Sequence, residues 1–204
     1  MSITVAPVGH SRILSVGTYR PKRVVPNSEI VDRIESTDEW IVQRTGIESR
    51  RFAGDHETVI TMAKAACEMA LQRAKLSIED IDTVILSTIS YPFQAPSAAT
   101  ELINELGNPK AAAFDLSAAC AGFCYGVGLA SDLVRAGTSR NVLVIGVEKL
   151  SDYTDPNDRA TAFIFADGAG AVIIGQSYQP RIGTTIWGSD ADSRDAITLT
   201  PSFL

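Results

Sequence analysis

The chain has 204 residues, of which 45% are hydrophobic and 21% charged. This is the balance of a globular protein and excludes a disordered or low-complexity one. Its formal net charge of -6, with no long Lys/Arg run, argues against general nucleic-acid binding.

The longest apolar runs, such as 142–147, fall far short of the roughly 20 helical residues that a bilayer requires, so no membrane partner is expected. The N-terminus lacks the basic-then-apolar layout of a signal peptide. Three cysteines make no disulfide framework. Together these features predict a reducing, cytoplasmic setting. Arg44, Arg50 and Arg51 form local basic spots, open to two readings: a solvated face or a phosphate contact.

In chain order, residues 13–19 read as a strand that ends at Arg20-Pro21. Residues 36–39 fit a capping box, so a helix should begin near Asp38, carry Trp40, Ile41 and Arg44, and stop at Gly46. A clearer helix covers 58–75, with Val59, Met62, Ala63, Ala66, Cys67 and Ala70 on one stripe. Residues 82–89 read as a buried strand. A helix follows over 97–106, between Pro96 and Gly107.

Residues 111–116 read as a strand, and 121–136 as a helix closed by Gly137 and apolar nearly all round, hence buried on most sides. The continuous apolar run at 141–147 predicts a strand covered on both faces. Two further strands, 162–166 and 169–175, flank Asp167-Gly168 as a hairpin. The order is β-α-β-α-β-α-β-β, an α/β class with helices on a largely parallel sheet. Residues 181–187 read as the first strand of something further, so the expected organisation is one unit over 1–178 and a truncated second over 179–204.

Cys120 lies between the strand at 111–116 and the apolar helix, in the helix's first turn. Free backbone N–H groups and the positive end of the helix dipole would favour a thiolate there. A thiolate is what a cysteine nucleophile requires. The Cys120 N–H could also bond an oxyanion on an attacked thioester. Ala118, Ala119, Ala121 and Gly122 leave room for a substrate. The other reading is a small buried apolar residue, and it is the reading adopted for Cys67 and Cys124.

Other chemistries fit poorly. Cys120 and Cys124 have no histidine nearby, so no metal site is expected. Gly168-Ala-Gly170 neither completes GxGxxG nor opens a helix, and no Walker A sequence occurs. His10 and His56 sit in polar stretches read as loops and are poor candidates for a catalytic base.

Four stretches together carry a family resemblance: residues 37–47 (TDEWIVQRTGI), 115–123 (DLSAACAGF), 146–150 (GVEKL), and 155–159 (DPNDR) with 165–170 (FADGAG). On these the chain resembles β-ketoacyl-acyl-carrier-protein synthase III, the initiating condensing enzymes of type II fatty acid synthesis. The resemblance implies one half, the N-terminal one, of a duplicated five-layer thiolase-like fold. It implies that Cys120 accepts an acyl group from a short acyl-CoA and that malonyl-acyl-carrier protein then condenses with it.

The resemblance assigns Trp40, Arg44 and Arg159 to the adenine end of coenzyme A, which is a substrate here and not a resident cofactor. From the residues alone, Trp40 reads as a core aromatic and Arg44 as surface. Ala95 stands where some members place a bulky aromatic closing the acyl pocket of the dimer partner, so a longer or branched primer would fit. The condensing histidine and asparagine of the family belong to its second half, and no residue of this chain matches them. The chain alone is therefore expected not to condense substrates. A homodimer is implied for the full-length form. Two alternatives stay open: a polyketide-starter or other thiolase-fold acyltransferase, and a non-catalytic half that binds acyl-carrier protein.

Overall fold

The computed structural model describes residues 9–198. Strand β1 spans His10–Tyr19, β2 Arg23–Pro26, and helix α1 Asp38–Thr45. They are followed by β3 (Ser49–Phe52), α2 (Val59–Ala74), β4 (Thr83–Ser87) and α3 (Ala98–Leu106). Then come β5 (Ala112–Asp115), α4 (Gly122–Arg135), β6 (Asn141–Lys149) and β7 (Asp167–Ser177).

The helix ends are where the capping chemistry puts them. The Thr37 hydroxyl accepts from the Trp40 N–H at 3.2 Å, and Gly46 closes α1 in a left-handed conformation, at φ 73°. Thr58 and Thr61 form a reciprocal capping box on α2. Ser97 caps α3, and Gly107 ends it at φ 90°.

Five strands form one sheet in the order β1-β7-β6-β4-β5. β4 runs parallel to both β5 and β6, whereas β7 is antiparallel to β6 and to β1. The sheet is thus mixed, and not largely parallel as expected. The cause is local. Residues 159–164 form turns in place of the expected strand at 162–166, and β7 begins at Asp167 itself, folding back along β6. A second, two-stranded sheet of β2 and β3 was not foreseen. Nor does any strand form over 181–187.

Alternation along β6 divides the core. Leu143, Ile145 and Val147 face α2 and α3, in a layer with Met62, Ala66, Leu102 and Ile173. Val142 and Val144 face α4, with Ile85, Ala130, Val134 and Ile174. The apolar run therefore fills both faces of an inner strand. Each fully buried Leu, Ile or Val contributes about 1.5–3 kcal/mol. A third cluster of Val25, Ile30, Ile34, Ile41, Ala162 and Phe163 holds α1 and the small sheet to the loop after β6.

Helix α4 is buried on one side only, contrary to its all-round apolar sequence. Gly126 faces Val144 and Ile85 across so small a gap that an added Cβ would lie 2.9 Å from Val144 Cγ1. Phe123, Val127, Leu129 and Leu133 are only half-buried, and Cys124 is exposed. Part of that outer side is covered by the segment after β7. Thr185 lies against Gly128, and Tyr125 packs on Trp187 and donates to the Gly188 carbonyl at 2.5 Å. No helix among the described residues is long and apolar enough to cross a membrane.

Candidate active site

Because β4, β5 and β6 are mutually parallel, Ser87, Asp115 and Lys149 end their strands at one edge of the sheet. In open α/β sheets this carboxyl edge is where ligands bind. Cys120 follows β5 at that edge and is exposed. It occupies a 3-10 turn, Ala119–Ala121, that precedes α4, and not the first turn of the α-helix as expected. The shift arises at Ala119, which holds φ +44°, a left-handed conformation that costs a non-glycine residue energy. This kink turns the chain from strand to helix and leaves the thiol at the apex.

The turn is held from below. Gly122 lies against Ser87, the last residue of β4. Asp115, five residues before the cysteine, accepts the Ala98 and Ala99 N–H groups of α3 at 2.8 Å each. The other cysteines divide. Burial pushes the Cys67 thiol up and leaves it inert, as expected. Cys124, expected to be buried, is open to solvent one helical turn beyond Cys120.

The structure brings Trp40, Arg44 and Arg159 together. The Arg44 guanidinium lies 4.2 Å from the Trp40 ring centroid and that of Arg159 5.3 Å from it. Arg159, which sequence alone leaves far from α1, is anchored by donating to the Glu35 carbonyl at 2.6 Å. Trp40 is half-buried. It packs edge-on against Phe163 at 5.4 Å in the small core, and still presents ring surface to the two cations.

Arg50 departs from both readings of the basic spots. It is only 5% exposed and donates to Val25 O, Phe163 O and Asn27 Oδ1. Arg51 donates to the carbonyls of Pro21 and Lys22. His10 opens β1 and does not sit in a loop.

Ala95 is exposed in the segment between β4 and α3, with Phe93 beside it in sequence, also exposed. Two carboxylates near this edge lie in the stretches that carry the resemblance, but sequence alone gives them no role. Glu148 accepts from the Ile89 N–H at 3.0 Å, from the Ser90 hydroxyl at 2.5 Å and from the Thr88 hydroxyl at 3.2 Å. Burial pushes its carboxyl above the usual range, and these hydrogen bonds partly oppose the shift. Asp167 accepts from Ala53 N–H, Ser151 N–H and Ser151 Oγ, tying the small sheet to the start of β7. A cleft of about 300 Å³ lies elsewhere, between the small sheet and the loop after β6, lined by Arg23, Arg33, Phe52, Thr154 and Phe165. Cys120 does not line it.

The comparisons with known proteins identify the fold as that of the thiolase-like condensing enzymes. Residues 114–191 match the family 3-oxoacyl-[acyl-carrier-protein] synthase III. The β-ketoacyl-[acyl-carrier-protein] synthase III of Kocuria rhizophila is 52% identical over 194 residues, 95% of this chain and 55% of that protein. Synthase III 1 of Streptomyces coelicolor is 53% identical over 194 residues, again 95% of this chain and 57% of that protein.

Among solved structures, the priming β-ketosynthase of the R1128 polyketide biosynthetic pathway superposes with TM-score 0.90 at 44% identity, covering 95% of this chain and 58% of that one. The synthase III of Aquifex aeolicus superposes with TM-score 0.80 at 42% identity, covering 83% and 55%. The chain is a β-ketoacyl-acyl-carrier-protein synthase III relative by sequence and by fold. It spans a little over half the length of the curated relatives it matches.

Proposed function

We propose that these residues form the acyl-loading part of an initiating ketoacyl synthase. The observation that carries the reading is the exposed thiol of Cys120, held at a strained turn on the carboxyl edge of the sheet. In this reading the Cys120 thiolate attacks the carbonyl of an acyl-CoA. The carbon–sulfur bond to coenzyme A breaks, and the coenzyme leaves as its thiol after taking up the proton. An acyl-cysteine remains. Trp40, Arg44 and Arg159 would hold the adenine and phosphates by stacking and charge.

Malonyl-acyl-carrier protein would then lose carbon dioxide and attack the acyl-cysteine. We assign the histidine and asparagine of that second step to the length of the relatives that this chain does not span. Residues 1–178 would form one thiolase-like half and 179–204 would lead into the other. The working form would be a cytoplasmic homodimer with no resident cofactor. Mass spectrometry after incubation with acetyl-CoA tests the reading. It requires an acetyl group on Cys120 that neutral hydroxylamine, which cleaves thioesters, removes, and no acetyl group in Cys120→Ala. An unmodified Cys120 would overturn it.

A second reading has its own support. The 0.90 superposition is with a priming synthase of polyketide biosynthesis. In that case the primer would feed a polyketide and not a fatty acid. Competing acyl-CoAs of different lengths for Cys120 addresses this, because a small residue at position 95 would admit a longer primer in this reading.

A further inference from the structure

The two segments that carry the Trp40 cluster meet on one buried side chain. Trp40 and Arg44 belong to α1, whereas Arg159 belongs to the turns after β6. Arg50, on β3, bonds to both. Its guanidinium donates to the Phe163 carbonyl at 3.2 Å, in the segment that carries Arg159. It also donates to Asn27 Oδ1 at 2.5 Å. The Asn27 amide passes this on, donating to Asp38 Oδ1 and to the Ile47 carbonyl at 2.7 Å each. Asp38 opens α1, and Ile47 follows the Gly46 that closes it, so both ends of the helix are tied through Asn27 to one guanidinium. A third limb reaches the Val25 carbonyl, on β2, at 3.1 Å.

The outer side of the cluster has less to hold it. Arg44 and Arg159 are exposed, and the Glu35 carbonyl is the anchor of Arg159. Trp40 takes its orientation from the Phe163 ring, whose own carbonyl is held by Arg50. Arg50 is an expensive residue for this place if stability alone were served. Its acceptors are all neutral, and its Nε finds no acceptor among the described residues. A buried charge carries a desolvation cost that its hydrogen bonds must first recover. What arginine alone provides is a rigid planar fork, which fixes three acceptors relative to one another.

We infer that Arg50 is a positioning residue for the nucleotide end of coenzyme A. By holding α1 and the Arg159 segment in one register, it sets the spacing of Trp40, Arg44 and Arg159, and it touches neither the coenzyme nor the reacting atoms. The inference rests on the proposed loading reaction and deepens it. Thioesters that carry the nucleotide depend on Arg50, and thioesters that lack it do not.

The test uses the intact protein, Arg50→Lys and Arg50→Met, with Arg44→Ala as a reference. Cys120 loading is measured with acetyl-CoA and with acetyl-pantetheine, and unreactive desulfo-coenzyme A is titrated by calorimetry. Both Arg50 variants should raise the KM for acetyl-CoA about threefold to tenfold, the scale of one or two lost cation–π contacts, with the maximal rate unchanged. Desulfo-coenzyme A should bind more weakly by the same factor, and acetyl-pantetheine should load as it does in the wild type. Lysine keeps the charge but not the fork, so full rescue by Arg50→Lys overturns the inference. So does an equal loss with both thioesters, the mark of a general structural defect, and so does unchanged coenzyme binding. The two readings fail separately. If Cys120 takes no acetyl group, yet the wild type binds desulfo-coenzyme A and the Arg50 variants bind it less, the loading reading falls and Arg50 keeps its role. If Arg44→Ala weakens binding and the Arg50 variants do not, the coenzyme site stands and this inference falls. A wild type that binds no coenzyme overturns both. Should Arg50→Met fail to fold, Asn27→Ala severs the link to both ends of α1 and is read in the same way.

Discussion

Gly122 stands so close to Ser87 that a Cβ on the glycine would lie 1.8 Å from the serine Oγ and 3.0 Å from its Cβ. The first residue of α4 and the last of β4 are thus in direct contact, and the Cys120 turn is seated on that contact.

A methyl group at Gly122 would have to push the turn away from the strand. Gly122→Ala should destabilise the protein by about 1–3 kcal/mol through overpacking. It should also slow Cys120 acylation more than it slows alkylation by iodoacetamide, which demands no alignment. Ser87→Gly in the same chain should restore much of both, and a double-mutant cycle measured by urea denaturation would read the coupling. Additive losses would mean that the two residues do not share the space.

Gly17 presents a harder constraint. An added Cβ would meet backbone atoms of α2, at 2.0 Å from Ala66 O and 2.5 Å from Ala70 N. No side chain can rotate to relieve this. The Ser15 hydroxyl also donates to Ala70 O, so β1 and α2 are locked at two points. Gly17→Ala should cost more than Gly122→Ala, at or beyond the roughly 3 kcal/mol upper end of ordinary overpacking. The comparison of the two urea midpoints checks it.

How far these contacts are legible in the sequence depends on their range. The α2 stripe was readable, and so was the start of α1 near Asp38, because a capping bond spans three residues. The two-sided burial of β6 was readable from its unbroken apolar run. Sequence registers that α4 is apolar but not what covers each side; Cys124 is exposed in this chain, which spans a little over half the length of its curated relatives. The antiparallel return of β7 follows the turn at 159–164, where the apolar residues around Phe163 imitate a strand. Cys120 is singled out in sequence as lying in the first turn of a helix, and Arg159 only through resemblance. Glu148 and Arg50 bond to partners 58 or more and 23 or more residues away, and single-sequence patterns carry no signal at that range.

Arg50 makes a separate prediction. Its guanidinium is buried among neutral acceptors, and burial lowers its pKa from the ordinary arginine value. Asn27 passes the contact on, accepting from Arg50 at 2.5 Å and donating to Asp38 at 2.7 Å. Arg50→Met would fill the space and leave three acceptors unpaired. A loss of about 2–3 kcal/mol is expected, on the scale of hydrogen bonds to charged groups. Because Phe163 O is one of those acceptors and Phe163 packs on Trp40, the Trp40 fluorescence should shift even in the folded variant.

Glu148 should leave a signature in the pH dependence of stability. Its carboxyl is raised from the ordinary value of 4.5, first by burial. The folded protein therefore holds this proton more tightly than the unfolded chain. The associated stability is complete below the unfolded value and is lost as pH rises through the folded one. The groups near it are Tyr153, which feels its charge and titrates far higher, and Lys149, which is paired with Asp152 at 3.3 Å. Relative to Glu148→Gln, the wild type should lose stability as pH rises from about 4.5 through the folded value and then run parallel to the variant. A difference curve that is flat across that window would place the ionised carboxylate in an environment no worse than water.

Trp40 packs in the small core and is also proposed to hold the adenine of coenzyme A, so its substitutions should separate the two roles. Trp40→Phe keeps an aromatic edge against Phe163 but reduces the ring surface offered to Arg44 and Arg159. Exposed cation–π contacts contribute about 0.5–1 kcal/mol each. Stability should therefore change little, while the KM for acyl-CoA in Cys120 loading rises several-fold and the maximal rate holds. Removal of either cation, by Arg44→Ala or Arg159→Ala, should raise the same KM without touching the small core, because both side chains are exposed. Loading by an acyl-pantetheine, which lacks the adenine and its phosphates, should be insensitive to all three substitutions. If the pantetheine thioester responds as acyl-CoA does, the Trp40 cluster serves the fold and not the nucleotide.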